Sequence, residues 1–381
     1  MIVAFYAPLK APDHPTPSGD REIARALLRA LRNRGHEVVL ASRFGSRDAD
    51  GDAGRQARLR TVGQRLARRL ARRWLLAEPA QRPAIWMTYH LYHKAPDWLG
   101  PSVAAALGIP YLVVEASHAA KQRHGRWAIG HAGVVAAIVQ ADAVLCLNPD
   151  DWEGLRAVVP ESRLHRFPPF VDVRQIRLRT RRRASRRALA RRLSLDSAAP
   201  LIAAVGMMRP GDKLASYRQL GKAMTRLRRL PWTLLVIGDG PAREQVRRHL
   251  GVLGRGRVRF LGQLPPHQVA TVVAATDLMA WPAVNEAFGM ALLEAQAAGV
   301  PVVAGNARGV PQVVAPGGGL LAPAGQPAAL ARRVARLLKS PATRNRLGAG
   351  ARRWALRQRD LAAAGQRLDA IVRFLTQVPE Q

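Results

Sequence analysis

Apolar and polar positions follow two alternating rhythms along the chain. Short apolar runs that end in polar residues recur through the first half: "MIVAFYAP", "HEVVLAS", "PAIWMTYH", "PYLVVEAS" and "DAVLCLN". Between them the apolar residues take helical spacing. In "DREIARALLRALRNRG", Ile23, Leu27, Leu28 and Leu31 fall on one face, and Gly35 closes the helix. The second half repeats the pattern with "PLIAAVGMM", a helix near 215–229, "TLLVIGDGP", a helix through 242–250, "VRFLGQL", a helix through 266–275, "DLMAWPA" and "PVVAGN". The tail, 343–376, is helical by pattern. Buried strands alternating with amphipathic helices predict α/β architecture, a parallel sheet with helices on both faces. Two such sheets, joined near 171–195, predict two doubly wound domains facing one cleft. Ligands in such sheets sit outside the carboxyl ends of the strands.

Length and composition agree with this. A chain of 381 residues that is 48% hydrophobic has room for two cores. The single cysteine, Cys146, sits in the apolar run "AVLCLN". It reads as a buried strand residue, excludes an internal disulfide framework and suits a reducing compartment. "MIVAFYAP" is too short for a secretory signal, and Gln140 and Asp142 break "GVVAAIVQADAVLCLN", so the expected location is the cytoplasm. Charge changes the picture more. The formal net charge is +34, and only six of the 60 basic residues are lysine. A composition rich in both Arg and Ala accounts for part of that excess, and the remainder predicts attraction to polyanions or to an anionic membrane surface.

Within "WPAVNEAFGMALLEAQAAGVP", residues 281–301, Glu286 and Glu294 stand in a small, apolar surround. Buried carboxylates are costly without specific partners. The segments around them occur in a telling order: "VGMMRPGDK", "LLVIGDGPAREQV", "VRFLGQLP", "AATDLMAWPAVNEAFGMALLEAQAAGVPVVA" and "GGGLLAPAGQPAALA". This order resembles the nucleotide-binding domain of glycosyltransferase family 4, the retaining GT-B enzymes that use nucleotide sugars. The likeness is strongest from about 200 to 325 and looser through "SGDREIARALLRALRNRGHEVVLAS".

The resemblance implies roles that fit the chemistry of a sugar nucleotide. Arg209 and Lys213 would hold the diphosphate, Arg as a bidentate donor and Lys as a point charge. The commoner family form has the Arg directly after the Gly, where this chain has Met207. Phe288, Gly289 and Met290 would offer main-chain amides at a helix start. Carboxylates repel phosphate and accept hydrogen bonds from hydroxyls, which gives Glu294 the ribose diol and Glu286 the donor sugar. The base would lie against backbone near Leu261 and Gln263. In the N-terminal half, Ser18 and Gly19 would bring backbone near the donor phosphate. His118 is the first choice for a polar contact at the reaction centre, with His90 and Glu115 as the other candidates there.

The resulting reading is a GT-B fold of two Rossmann-like domains. Residues 1–171 form an acceptor-binding domain, together with a returning C-terminal helix at 360–378, and 172–359 form the nucleotide-sugar domain. The reaction is retaining transfer of a hexose-type sugar to an envelope lipid or polysaccharide precursor. A sugar-nucleotide epimerase or a phosphorylase would share the fold, but the pyridoxal lysine of many phosphorylases has no evident counterpart. A nucleic-acid-binding protein would share only the charge, because no recognition motif or aromatic interleaving accompanies the arginines. No metal or other cofactor is expected. "DADGD", residues 48–52, has Ala53 and Leu59 where a calcium loop needs Gly and Glu, and reads as a solvated loop. From Arg55 to Trp74 there are eight arginines and no acid, with Leu59, Val62, Leu66, Leu70 and Trp74 on one stripe. That is the pattern of an interfacial helix at the cytoplasmic face of an inner membrane, or of a core-facing helix with an arginine-rich outer face. A second basic stretch, "RQIRLRTRRRASRRALARRL", reads as a solvated linker and helix.

Overall fold

Parallel strands covered on both faces are apolar along most of their length, and the inner strands here largely follow that rule. The computed structural model describes residues 1–16, 18–179, 182–196 and 199–377. In the first unit the strands are β1 (Ile2–Tyr6), β2 (Glu37–Ser42), β3 (Ile85–Leu91), β4 (Tyr111–Ala116), β5 (Ala143–Cys146) and β6 (Leu164–Arg166). They form one parallel sheet in the order β2-β1-β3-β4-β5-β6. The helices between them are α1 (Gly19–Arg32), α2 (Ala53–Leu75), α3 (Gly100–Leu107), α4 (Ala128–Gln140) and α5 (Pro149–Arg156). Because β2 lies on one side of β1 and all later strands on the other, the topological switch point falls between β1 and β3.

The second unit repeats the plan. Helices α6 (Val173–Arg179) and α7 (Arg182–Leu193) lead into β7 (Leu201–Val205), α8 (Asp212–Thr225), β8 (Thr233–Ile237), α9 (Arg243–Gly251) and β9 (Val258–Gly262). There follow α10 (Pro266–Ala274), β10 (Leu278–Trp281), α11 (Met290–Ala297), β11 (Val302–Asn306), α12 (Val310–Val313) and β12 (Gly319–Pro323), then α13 (Pro327–Lys339) and α14 (Pro341–Gln358). The sheet order β12-β11-β10-β7-β8-β9 puts this switch point between β7 and β10.

Contacts divide the chain into Met1–Pro168 with Leu361–Gln381, and Pro169–Asp360. The helical tail is therefore two helices rather than one. It breaks at Arg359 and Asp360, where Asp360 Oδ1 accepts the Val173 amide at 3.0 Å, and α15 (Leu361–Thr376) then packs on α1. Residue 378, expected to end the returning helix, lies outside the described residues, as do Thr180 and Arg181 of the second basic stretch. A buried carboxylate anchors α15. Asp369 accepts from His36 Nε2 and Arg373 Nε, each at 2.8 Å, and from Arg34 Nε at 3.3 Å. Burial opposes ionisation there, yet the hydrogen bonds from His36, Arg373 and Arg34 hold the carboxyl below its usual range.

Two expectations are corrected in the first unit. The buried face of α2 only partly follows the predicted stripe: Trp74 is buried and Leu66 and Leu70 pack half-buried against the core, but Gln56, Gly63, Ala67 and Ala71 make up the rest of that face, while Val62 is 43% exposed. Small residues win because α2 packs closely on α3 and α4; a Cβ on Gly63 would lie 2.4 Å from Trp98 Cβ. All eight arginines face outward. Nor is Asp48 in a solvated loop. It is buried, accepting the Asp52 amide at 3.0 Å and Gln56 Nε2 at 3.1 Å, so it fixes the start of α2, which Asp52 caps.

Asp369→Ala strands a buried imidazole and two guanidinium groups without their acceptor. It should lower unfolding free energy by about 2–3 kcal/mol, read from urea denaturation, with Asp369→Asn losing less. An unchanged midpoint in both would show that α15 is held by apolar packing alone.

Candidate functional site

At the second switch point the loops after β7 and β10 bring opposite charges together. Lys213, in the first turn of α8, pairs with Glu286 Oε2, and both side chains are largely buried, at 22% and 14% exposure. Trp281 Nε1 donates to the same oxygen at 3.2 Å, and the Lys213 ammonium lies 5.6 Å from the centre of the Trp281 ring. Trp281 is itself set by an edge contact with Tyr217 at 5.0 Å. The 282–289 loop that carries Glu286 is tightly wound: Ala283, Asn285 and Gly289 all have positive φ. Gly289 ends it at φ 70° and ψ 56°, directly before α11. Glycine takes that conformation without a Cβ penalty. The amides that open α11 then have no partners within their own helix and carry a partial positive charge. An ammonium, a helix start and a carboxylate thus meet at one strand edge, a set able to bind phosphate and hydroxyl groups side by side.

The first switch point carries a second cluster. His90 in β3 and Glu115 in β4 sit next to each other in the register that pairs Tyr89 with Val114 and Leu91 with Ala116. Both have left-handed backbone, φ 60° and φ 63°, inside their strands. Side chains other than glycine rarely adopt it, and such strain gathers at functional sites. His90 Nδ1 lies 3.2 Å from Asp20 Oδ1, on the first turn of α1, and 4.0 Å from Glu115 Oε2. Burial pulls the His90 pKa down, but the field of Glu115 and the Asp20 hydrogen bond outweigh it and raise the pKa to about 9. Burial raises Glu115, and the His90 hydrogen bond holds Asp20 low against the same effect. Tyr89, 1% exposed, has its hydroxyl beside these acids.

The other expected residues divide between the two places. Gly19 opens α1 with no atom within 4 Å of where a Cβ would be, and Ser18 caps the helix by accepting the Arg21 amide at 3.2 Å. Phe288 is buried and Met290 begins α11. Glu294 is exposed on α11 and is not a buried carboxylate, because the small residues around it in sequence lie on the helix's other faces. Arg209 is exposed in the loop after β7, whereas Met208 beside it is buried. Leu261 and Gln263 lie at β9, the edge strand of its sheet. His118 is not in the His90 cluster. Its Nδ1 bonds the Gly154 carbonyl at 2.9 Å, and its ring centre lies 5.3 Å from that of His131, the planes tilted by 40°. Cys146 ends β5, and burial pushes its thiol up to about 12, which rules out a thiolate at neutral pH. Residues overlooked in the sequence are Asp20, Trp281 and Asn285. Asp20 had one signal, its place directly after Ser18 and Gly19 at a helix start.

Since His90 holds its proton more tightly when folded than the ordinary imidazole value near 6.5, its contribution to stability is full below about pH 6.5 and fades as pH rises through about 9. NMR titration should find one imidazole with a pKa near 9, missing in His90→Asn. The variant should also flatten the fall in stability between pH 7 and 9. A His90 pKa at or below 6.5 would contradict the arrangement.

Comparison with known proteins gives a consistent result. The family model of glycosyl transferases group 1 matches residues 191–354. The D-inositol 3-phosphate glycosyltransferase of Frankia alni is 31% identical over 302 residues, 73% of this chain and 72% of that protein. That of Corynebacterium efficiens is 37% identical over 166 residues, and this chain covers only 39% of its length. Alpha-D-kanosaminyltransferase of Streptomyces kanamyceticus is 28% identical over 252 residues, 65% of this chain and 63% of that protein. Among solved structures, Anabaena Alr3699/HepE in complex with UDP superposes with a TM-score of 0.75 at 16% identity, over 98% of this chain and 100% of that one. The Thermosynechococcus elongatus sucrose-phosphate synthase gives 0.73 at 20% identity, over 98% of each. Those two likenesses establish the fold. Together with two six-stranded parallel sheets of doubly wound order and the relative matched over most of its length, they lead to one conclusion: the chain has the GT-B fold and belongs to the glycosyl transferases group 1 family.

Proposed function

We propose that this chain transfers a sugar, with retention at the anomeric carbon, from a nucleotide-sugar donor to a hydroxyl of a glycan or lipid-linked acceptor. The observation that carries the reading is the Lys213–Glu286 pair at a switch point beside the start of α11. It joins a phosphate-seeking and a hydroxyl-seeking group within one contact. In this reading the donor diphosphate takes over Lys213 and the amides of Gly289 and Met290, and Glu286 turns to the sugar hydroxyls. As the anomeric C–O bond breaks, its electron pair leaves on the diphosphate, where the ammonium and the helix start stabilise it. The acceptor oxygen bonds to the anomeric carbon on the face the diphosphate vacates, and its proton passes to the departing phosphate oxygen. No protein nucleophile, metal or other cofactor is invoked. Glu294 reads the ribose diol, and backbone at β9 meets the base.

The acceptor belongs to the first unit in this proposal, at the Asp20–His90–Glu115 cluster. Polyhydroxylated acceptors are the class to test first. The names of the relatives support that choice, among them a Corynebacterium glutamicum GDP-mannose-dependent monoacylated alpha-(1-6)-phosphatidylinositol monomannoside mannosyltransferase, 31% identical over 215 residues. The outward arginines of α2 support a second element, contact with an anionic membrane, since each basic residue near such a surface adds about 1 kcal/mol. No helix among the described residues is long and apolar enough to cross a membrane.

Two experiments test these readings. In a thermal-shift panel of UDP, GDP and ADP, one diphosphate should stabilise the wild type. Glu294→Ala should weaken that binding about tenfold, the worth of one charge-assisted hydrogen bond, whereas Glu286→Gln should keep it and lower turnover at least 100-fold, about 3 kcal/mol of transition-state stabilisation. Equal affinity losses in both would refute the division of labour. Co-sedimentation should show binding to anionic but not neutral liposomes, lost when Arg65, Arg68, Arg69 and Arg72 become Gln. Wild-type indifference to anionic lipid would end the membrane reading.

A further inference from the structure

The first unit holds a second polar cluster beside the acid one, and a run of rings joins the two. Centre to centre, His90 lies 5.3 Å from Tyr92, Tyr92 5.4 Å from His93, and His93 5.5 Å from Trp127. Close by, His118 follows β4 and His131 stands in α4, their ring centres 5.3 Å apart. Two close approaches fix the frame. A Cβ on Gly130, in the first turn of α4, would lie 2.1 Å from the His93 carbonyl oxygen, and one on Gly154, in α5, 2.7 Å from that of His118. His131 is only 6% exposed, and its Nε2 is buried with no hydrogen-bond partner among the described residues. The same is true of Nδ1 of His93. A buried polar atom left in that state costs stability.

The surroundings show what is missing. From Ala116 to Ala141 the chain has no Asp or Glu, and it carries Lys121, Arg123, His124 and Arg126. Burial, then the charges of Lys94, His131 and Lys121, hold the His93 pKa below its ordinary value. Burial, then His118, Arg123 and His124, do the same to His131. The Lys94 ammonium lies 4.3 Å from the centre of the Trp127 ring, and Trp127 opens α4 without a side-chain cap bond, so that helix start adds partial positive charge. Imidazoles and cations gathered without an acid are donors in want of an acceptor. The Asp20–His90–Glu115 cluster at the other end of the ring run has the opposite character.

We infer that the His93–His131 cluster is a subsite for a phosphate group on the acceptor, whose hydroxyls lie at the acid cluster. This rests on the transferase reading above and narrows its acceptor to a polyhydroxylated molecule that bears a phosphate, free or lipid-linked. Ring N–H groups of His93 and His131 donate to the phosphate oxygens, and Lys121 and Arg123 balance the charge. The Nδ1 bond to the Gly154 carbonyl orients the His118 ring beside them. Tyr92, between the two clusters, offers an apolar face to the carbon skeleton of the acceptor.

The test uses the full chain, the variant His131→Asn and the double variant Lys121→Ala with Arg123→Ala. Arg352→Ala with Arg353→Ala, two exposed arginines of α14, is the control for general charge attraction. Calorimetry measures affinity for inorganic phosphate, glucose 6-phosphate and glucose. Co-sedimentation measures binding to phosphatidylcholine vesicles with and without phosphatidylinositol. The wild type should bind glucose 6-phosphate at least tenfold more tightly than glucose, or, for a lipid-borne phosphate, should select the phosphatidylinositol vesicles. His131→Asn and the Lys121/Arg123 variant should each weaken that binding about tenfold, and the control should stay within twofold. Ring resonances of His93 and His131 should move on saturation with the phosphate. Since Lys121 and Arg123 are exposed, their variant tests the subsite even where His131→Asn unfolds. Equal losses in the control, unchanged binding in the Lys121/Arg123 variant, or no preference for phosphate in either form would overturn the subsite. The donor reading is checked separately, by the thermal shift with UDP, GDP and ADP, which folded His131→Asn should keep. If the wild type responds to none of the three, the transferase reading falls and the acceptor role of this cluster with it.

Discussion

The second unit is organised around a charge that has to be kept at a strand edge without its substrate. A lysine ammonium largely removed from water needs a partner, and Glu286 is that partner. Everything nearby serves to hold the two in register. Tyr217 sets Trp281, Trp281 donates to Glu286, and Gly289 turns the chain so that α11 starts beside them. The pair is largely but not completely buried, which fixes the loop and still leaves both groups reachable from solvent. A fully buried pair would resist exchange, and a fully exposed one would position nothing.

The first unit meets the same constraint with different groups. Its switch point also holds a cation between carboxylates, His90 with Asp20 and Glu115, and the backbone is forced into left-handed geometry at both strand residues to achieve it. Both doubly wound sheets gather opposite charges at a switch point, the second from the loops after β7 and β10, the first from His90 and Glu115 at strand ends with Asp20 of α1. The His90 imidazole, raised to about 9, keeps its proton because the charge of the acids beside it favours the imidazolium. The charge state of the first cluster is therefore a property of three residues together.

Much of this was legible in the sequence. Strand and helix order follow from hydrophobic periodicity, and Lys213 and Glu286 stand in segments whose order is diagnostic. What escaped depended on three-dimensional registration. Leu66 and Leu70 pack half-buried against the core as the stripe of α2 predicts, but the fully buried positions are Gly63, Ala67 and Ala71, because close helix packing favours small residues, a preference that hydropathy does not weigh. Glu294 looked buried because its sequence neighbours are apolar, yet a helix sends neighbours to different faces. His118 stands apart from the cluster that joins His90, Glu115 and Asp20, and no periodicity announces a left-handed residue within a strand. Asp48 looked solvated because runs of acids usually are, and it is instead a buried helix anchor.

The charge excess, finally, separates two duties that are easily merged. A chain with 60 basic and 26 acidic residues draws in anions of every kind. Attraction of that sort raises encounter rates and residence near charged surfaces, but it cannot tell one anionic ligand from another. Discrimination has to come from groups that would be unfavourable in the wrong complex. In a strongly cationic protein those groups are its carboxylates. Three of them gather where the first sheet changes direction, Asp20, Glu115 and the nearby Asp151 that also acts on His90, and one sits at the centre of the second. A phosphate placed against them is repelled, and a hydroxyl is accepted. In the function proposed above, the scarce acids, rather than the abundant arginines, therefore set which part of a ligand goes where.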